Sequence, residues 1–172
     1  MILTSFVEED FANYKEPAMF LGTSKCDGKC WRELGLDRSI CQNSDLSDSM
    51  SMVIGDRPII TRYLENPITK AIVIGGLEPF DIKDEVLNFI EILRNEFKCN
   101  DPVIVYTGYY PEEIIDEIKS LLPYDNIIIK FGRYIPNSTP RFDEVLGVEL
   151  VSNNQYARDI SFFRTEVSTN NV

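Results

Sequence analysis

Residues 71–80 read A-I-V-I-G-G-L-E-P-F, an apolar run that breaks into a glycine turn closed by Glu78 and Pro79. Four apolar residues with no polar alternation describe a short strand buried on both faces. The segment that follows, D-I-K-D-E-V-L-N-F-I-E-I-L-R-N-E-F, sets Ile82, Val86, Phe89, Ile90, Leu93 and Phe97 at helical spacing, with acids in the first turn. The scheme then repeats: V-I-V-Y (103–106), a T-G-Y-Y-P turn, a helix over 112–122, and the strand N-I-I-I-K-F (126–131). Strands separated by helices of this length need crossovers, so they pair in parallel. Upstream, A-M-F-L-G-T (18–23) is a further strand, and a helix is expected near 57–66 after a polar surface loop over 42–57. The expected fold class is therefore α/β with a mainly parallel sheet.

Composition narrows the function. The 172 residues are 44% apolar and 26% charged, which suits one domain with a real core. Against 17 basic residues stand 28 acidic ones, a formal charge of -11, and this disfavours direct nucleic acid binding. No run approaches the ~20 apolar residues of a membrane span. The N-terminal segment is acidic where an export signal is basic, so the expectation is a cytoplasmic protein with no membrane partner. Apart from S-T-N-N-V (168–172), nothing reads as a low-complexity tail. There is no histidine, which removes Ser-His-Asp and Cys-His catalysis and every histidine-containing metal site.

Three of the four cysteines, Cys26, Cys30 and Cys41, lie in the stretch S-K-C-D-G-K-C-W-R-E-L-G-L-D-R-S-I-C-Q-N (24–43), just after the strand 18–23. Clustered thiols in a reducing compartment point to metal ligation or redox chemistry. Three thiolates can fill three corners of a zinc site, with Asp27 or Glu33 beside them, or ligate three irons of a four-iron cluster and leave the fourth open. Cys99 stands apart, because at ~1.5 Å per residue the intervening helix separates it from the G-G-L-E-P turn by roughly 20 Å. The cysteine loop and the turns after residues 74 and 106 all follow the C-terminal ends of parallel strands, where α/β folds build their sites.

These stretches resemble the radical S-adenosylmethionine superfamily, whose usual signature is C-x3-C-x2-C followed by a G-G-E-P-like turn. Within it the chain is most similar to the activating enzymes of anaerobic ribonucleoside-triphosphate reductases. Three more segments carry that narrower likeness: V-I-V-Y-T-G-Y (103–109), K-F-G-R-Y (130–134) in place of D-G-R/K-F, and V-S-N-N-Q-Y (151–156) in place of G-S-x-N-Q-R. Their order and approximate spacing agree over about residues 13–160.

The resemblance implies a single-domain incomplete βα barrel and two cofactors, a 4Fe-4S cluster and S-adenosyl-L-methionine. Cys26, Cys30 and Cys41 would be the cluster ligands. Ile40 would pack near the adenine, Gly76, Leu77, Glu78 and Pro79 would contact the methionine moiety, and Thr107, Ser152 and Asn154 would be polar neighbours of the cofactor. It also implies reductive cleavage to methionine and a 5'-deoxyadenosyl radical, which takes a hydrogen atom from a glycine of an anaerobic (class III) ribonucleotide reductase. A flavodoxin-like or ferredoxin-like protein would supply the electron. The chain departs from the family in three ways. Ten residues rather than two separate Cys30 from Cys41, Leu77 replaces a glycine where a positive φ would be strained, and Val151 and Tyr156 replace a glycine and an arginine.

Plainer readings stand beside these. Trp31 covers local apolar surface, Glu78 caps the following helix, Tyr106, Tyr109 and Tyr110 are packing and rim residues, and Arg133 and Arg141 are solvated charges or contacts for a carboxylate or a partner. Two other functions compete: radical chemistry on a different protein or small molecule, and a non-catalytic zinc-binding α/β module.

Overall fold

The apolar runs can be covered on both faces only inside a layered sheet, and the computed structural model, which describes residues 1–164, shows how. Strands β1 (Ile2–Asp10) and β2 (Ala18–Thr23) lead into the cysteine loop, which contains the short helix α1 (Lys29–Arg32) and a 3-10 turn at Arg38–Ile40. Helix α2 (Ser44–Asp48), strand β3 (Met52–Val53) and helix α3 (Asp56–Glu65) follow. Then come β4 (Ala71–Gly76), a 3-10 turn (Pro79–Ile82), α4 (Lys83–Asn95), β5 (Val103–Tyr106), a 3-10 turn (Pro111–Glu113), α5 (Ile115–Leu121) and β6 (Ile127–Phe131). The hairpin β7 (Arg141–Asp143) and β8 (Val148–Leu150) and strand β9 (Tyr156–Asp159) follow, and the described residues end in a helical turn at 161–164. The tail 168–172 lies outside them.

One seven-stranded sheet runs β3-β1-β2-β4-β5-β6-β9, and β7-β8 form a separate ribbon. The centre, β2-β4-β5-β6, is parallel, while β1 and β9 run antiparallel at its flanks. The fold is thus α/β with a mixed sheet, parallel where the sequence pattern requires it. Strand periodicity divides the side chains between two cores. Ile72, Ile74, Val103, Val105, Ile127, Ile129 and Phe131 pack with α3 and α4 residues such as Ile59, Phe89 and Leu93. Ala18, Ala71, Val73, Ile104, Ile128 and Ala157 point the other way, and there Tyr14, Leu146 and Leu150 cover them. The second face carries alanines at its centre, and towards the C-terminal strand ends its Phe20, Tyr106 and Lys130 border a cavity.

Register fixes where the site falls. Gly22 pairs with Gly75 and Thr23 with Gly76, so the loop that begins at Ser24 leaves the sheet beside the glycine turn. At the opposite, N-terminal edge, buried Arg94 donates to the carbonyls of Cys99 (2.7 Å), Asp101 (2.9 Å) and Asp125 (3.2 Å), joining the loops that precede β5 and β6. Cys99 is therefore part of the far edge, as the helix length requires. The helix expected from 112 begins at Ile115, because Pro111–Glu113 forms its own turn and Ile114 leaves the helical region at φ -132 and ψ 36. Among the described residues no helix is long and apolar enough to cross a membrane.

Candidate functional site

A cavity of about 490 Å³ lies over the C-terminal ends of the parallel strands. Its wall includes Cys26, Cys30 and Cys41, the turn residues Gly76, Leu77 and Glu78, and Thr107 and Gly108 after β5. Lys130, Gly132 and Arg133 from the end of β6, with Gln155, close it. Four segments far apart in sequence thus share one wall, because parallel strands deliver their C-termini to the same edge.

The cysteine loop is anchored at both ends. The amide of Glu78 donates to the Lys25 carbonyl (2.8 Å), and that of Asp27 donates to an Asp81 carboxylate oxygen (2.6 Å). At the far end Asn43 Nδ2 donates to the Gly76 carbonyl (2.6 Å). The loop, with ten residues between Cys30 and Cys41, is ordered by its own turns. Gly28 takes φ +71, with the Trp31 ring packed where a Cβ would stand, and Asp37 accepts from the Ser39 amide to cap the turn before Cys41. The loop thereby returns Cys41 close enough to Cys30 for the two thiols to influence each other's ionisation. The interaction between the thiols eases proton loss from Cys41, helped by the Asn43 amide and Arg38, and makes the proton on Cys30 harder to remove.

The Cys26 thiol is pushed up to about 11, first by desolvation and then by the carboxylates of Glu78, Asp81 and Asp27. A cation at this end would reverse that penalty, since a bound metal deprotonates a coordinating thiol. The donor set, three free thiols and no histidine, fits a thiolate-held cluster. A more compact group also exists here, with the ligand atoms of Cys26, Asp27 and Asp81 within 4.8 Å of one another.

At the glycine turn the positive φ belongs to Gly76, at +82, and a Cβ there would come within 3.2 Å of the Gly22 Cα. Leu77 does not take the left-handed conformation, so leucine stands there without the strain expected of it. Glu78 is 7% exposed and fully engaged: Oε1 accepts from Thr107 Oγ1 (2.7 Å) and the Phe80 amide (3.1 Å), and Oε2 from the Gly108 amide (2.8 Å). Burial nevertheless pushes its carboxyl up to about 7. Glu78 thus caps the turn that starts at buried Pro79 and latches the loop after β4 to the loop after β5.

The remaining sequence-derived candidates stand behind the wall. Ser152 is fully buried, accepting from the Ile135 amide (2.9 Å) and donating to the Ile135 carbonyl (3.2 Å). Asn154 Nδ2 donates to Tyr110 Oη (3.1 Å) and the Arg133 carbonyl (2.9 Å). Ile40 is half-buried in the turn before Cys41 and is not part of the cavity wall.

Sequence reasoning passed over Lys130. Among the described residues its ammonium donates only to the Gly132 carbonyl (2.9 Å), it faces the Tyr106 ring, and burial pulls it down to about 8. The signal was present in I-I-I-K-F, where alternation puts Lys130 on the face of Ile128 and away from the helices. Comparison of the chain with models of protein families, with curated proteins and with solved structures finds no match.

Proposed function

We propose that the protein is a radical S-adenosylmethionine activase that generates a glycyl radical on an anaerobic ribonucleotide reductase in the cytoplasm, with an electron from a flavodoxin-like or ferredoxin-like donor. The observation that carries the reading is the shared cavity, whose wall holds the three cysteines together with the G-G-L-E, T-G and K-F-G-R segments. In this reading the parallel strands are the core of an incomplete βα barrel, and the face that carries Phe20, Tyr106 and Lys130 is its interior.

Cys26, Cys30 and Cys41 would hold a 4Fe-4S cluster, which when bound supplies the single electron for reductive cleavage of S-adenosylmethionine. The chain's own residues do the rest by position. Gly76 lets the β4 turn pass close to the cysteine loop, and Leu77 gives the cavity an apolar wall. Glu78 and Thr107 hold the two turns together rather than offering free charge. Lys130 places a buried positive group in the cavity, suited to an anionic part of a ligand. Fixing the reacting groups and excluding water is what such a site requires of the protein.

Anaerobic iron and sulfide reconstitution, followed by reduction in the presence of S-adenosylmethionine, tests the reading through release of 5'-deoxyadenosine; failure to incorporate iron sinks it. The Cys26, Asp27 and Asp81 group favours a second reading, a zinc-stabilised α/β module, for which the same preparation is colourless and holds one zinc. Release of 5'-deoxyadenosine without any effect on a class III reductase redirects the chemistry to another protein or a small molecule.

A further inference from the structure

Helix α1 cannot hold itself in place. It has four residues, an N-cap glycine and no buried residue, and its local support is Asp27, which accepts from the Lys29 amide (2.9 Å) and pairs with Arg32 (3.1 Å), yet it carries Cys30. Between the anchors at Asp27 and Asn43, the hydrogen bonds and ion pairs that tie residues 28–42 to the sheet end, among the described residues, on two side chains. Lys29 Nζ donates to Glu113 Oε1 at 2.6 Å. Glu33 accepts from Arg133 Nη2 at 3.2 Å, and its other oxygen lies 3.0 Å from Nε. Lys29 and Glu33 stand at i and i+4, so they share one face of α1 on either side of Cys30.

The receiving pair is held by contacts outside the loop. Arg133 donates twice to Glu113, at 2.8 Å and 2.6 Å, and Glu113 also accepts from the Tyr110 amide at 2.9 Å. The guanidinium lies over the Tyr110 ring, and the Arg133 carbonyl is held by Asn154. With its side chain only 10% exposed, Arg133 forms ion pairs less screened than those of open surface. Its charge is spent on Glu113 and Glu33, so it is not a free site for a substrate carboxylate.

We propose that Glu113 and Arg133 are positioning residues that clamp α1 from the sheet side and set where Cys30 stands in the cavity. The purpose of the clamp rests on the reading of Cys30 as a metal ligand; the clamp itself is a property of the metal-free chain. It explains how Cys30 is held in a loop whose own turns bring Cys41 back to it.

The test is the iodoacetamide alkylation rate of each cysteine in metal-free, reduced protein under anaerobic conditions, resolved by peptide mass spectrometry. Glu113→Gln and Lys29→Gln should each speed Cys30 by about tenfold, the scale of one lost charge-assisted hydrogen bond. Cys99 should stay slow, and Arg57→Gln, which breaks a remote surface pair with Glu96, should change nothing. The two clamp variants remove opposite charges, so a purely electrostatic effect on the thiol would move the rates in opposite directions. Rates that diverge in this way, or do not change, overturn the proposal. If Glu113→Gln also accelerates Cys99, the variant has loosened the fold, and Lys29→Gln on the exposed side decides alone. Iron takes no part in this assay: an intact clamp on a chain that binds no iron sinks the cluster reading only, and an iron-loaded protein with unaltered Cys30 rates in the variants sinks the clamp only.

Discussion

Replacing Glu78 by glutamine should change how stability depends on pH. Burial raises this carboxyl from 4.5 to about 7, so between those values the folded chain binds a proton that the unfolded chain has released. Stability from this group is complete below about pH 4.5 and is lost as pH rises through about 7. At 1.36 kcal/mol per pH unit the loss is about 3 kcal/mol, or about 6–12 °C in Tm for a chain of this size. Lys130, pulled down to about 8, acts in the opposite sense and only above that window. Glutamine cannot ionise, but its amide group turns a donor towards the Gly108 amide, which loses its acceptor at a cost of about 1–3 kcal/mol. Urea unfolding of metal-free, reduced protein from pH 5 to 8 should therefore show the wild type more stable at pH 5 and the two curves converging or crossing near pH 8. An unchanged slope in Glu78→Gln would refute the assignment of that titration to the buried latch.

Cys41→Ala should abolish iron binding while shifting the unfolding free energy by less than about 1 kcal/mol, because the side chain is only half-buried; full iron retention removes Cys41 from the ligand set. Gly76→Ala forces a Cβ into φ +82 and to within 3.2 Å of the Gly22 Cα, and should lower stability by about 1–3 kcal/mol by urea unfolding. Leu77→Gly should instead lose apolar burial with no backbone relief, so a stabilised variant would contradict the left-handed position assigned to Gly76. Arg94→Met leaves three loop carbonyls without their donor at the far edge. It should destabilise the chain by about 3 kcal/mol while leaving Cys30 alkylation in the folded state unaltered.

The parallel centre of the sheet was legible because A-I-V-I, V-I-V-Y and I-I-I-K-F are too apolar for any half-exposed strand and are separated by helices. The cavity wall followed from the same logic, since three turns after three parallel strands must share an edge. Strand β1 was not legible: its second half, Val7 to Glu9, is exposed and acidic, and its pairing with β2 is not local. Strands β7, β8 and β9 are three or four residues long, too short for a periodic signal, and only their partners make them strands. The role of Glu78 depends on donors from two loops, and that of Arg133 on acids eighty residues apart, Glu33 and Glu113. No local pattern encodes such meetings. The left-handed residue in G-G-L-E-P fell one position earlier than the family pattern suggested.

Cys26, Cys30 and Cys41 are proposed to hold, together, an iron-sulfur centre open to a small chelating ligand. Iron and sulfide counted on oxygen-free, reconstituted protein decide whether they do. About four of each per chain are expected, with both lost in Cys41→Ala; a colourless chain carrying one zinc, unaffected by that substitution, would contradict the proposed centre.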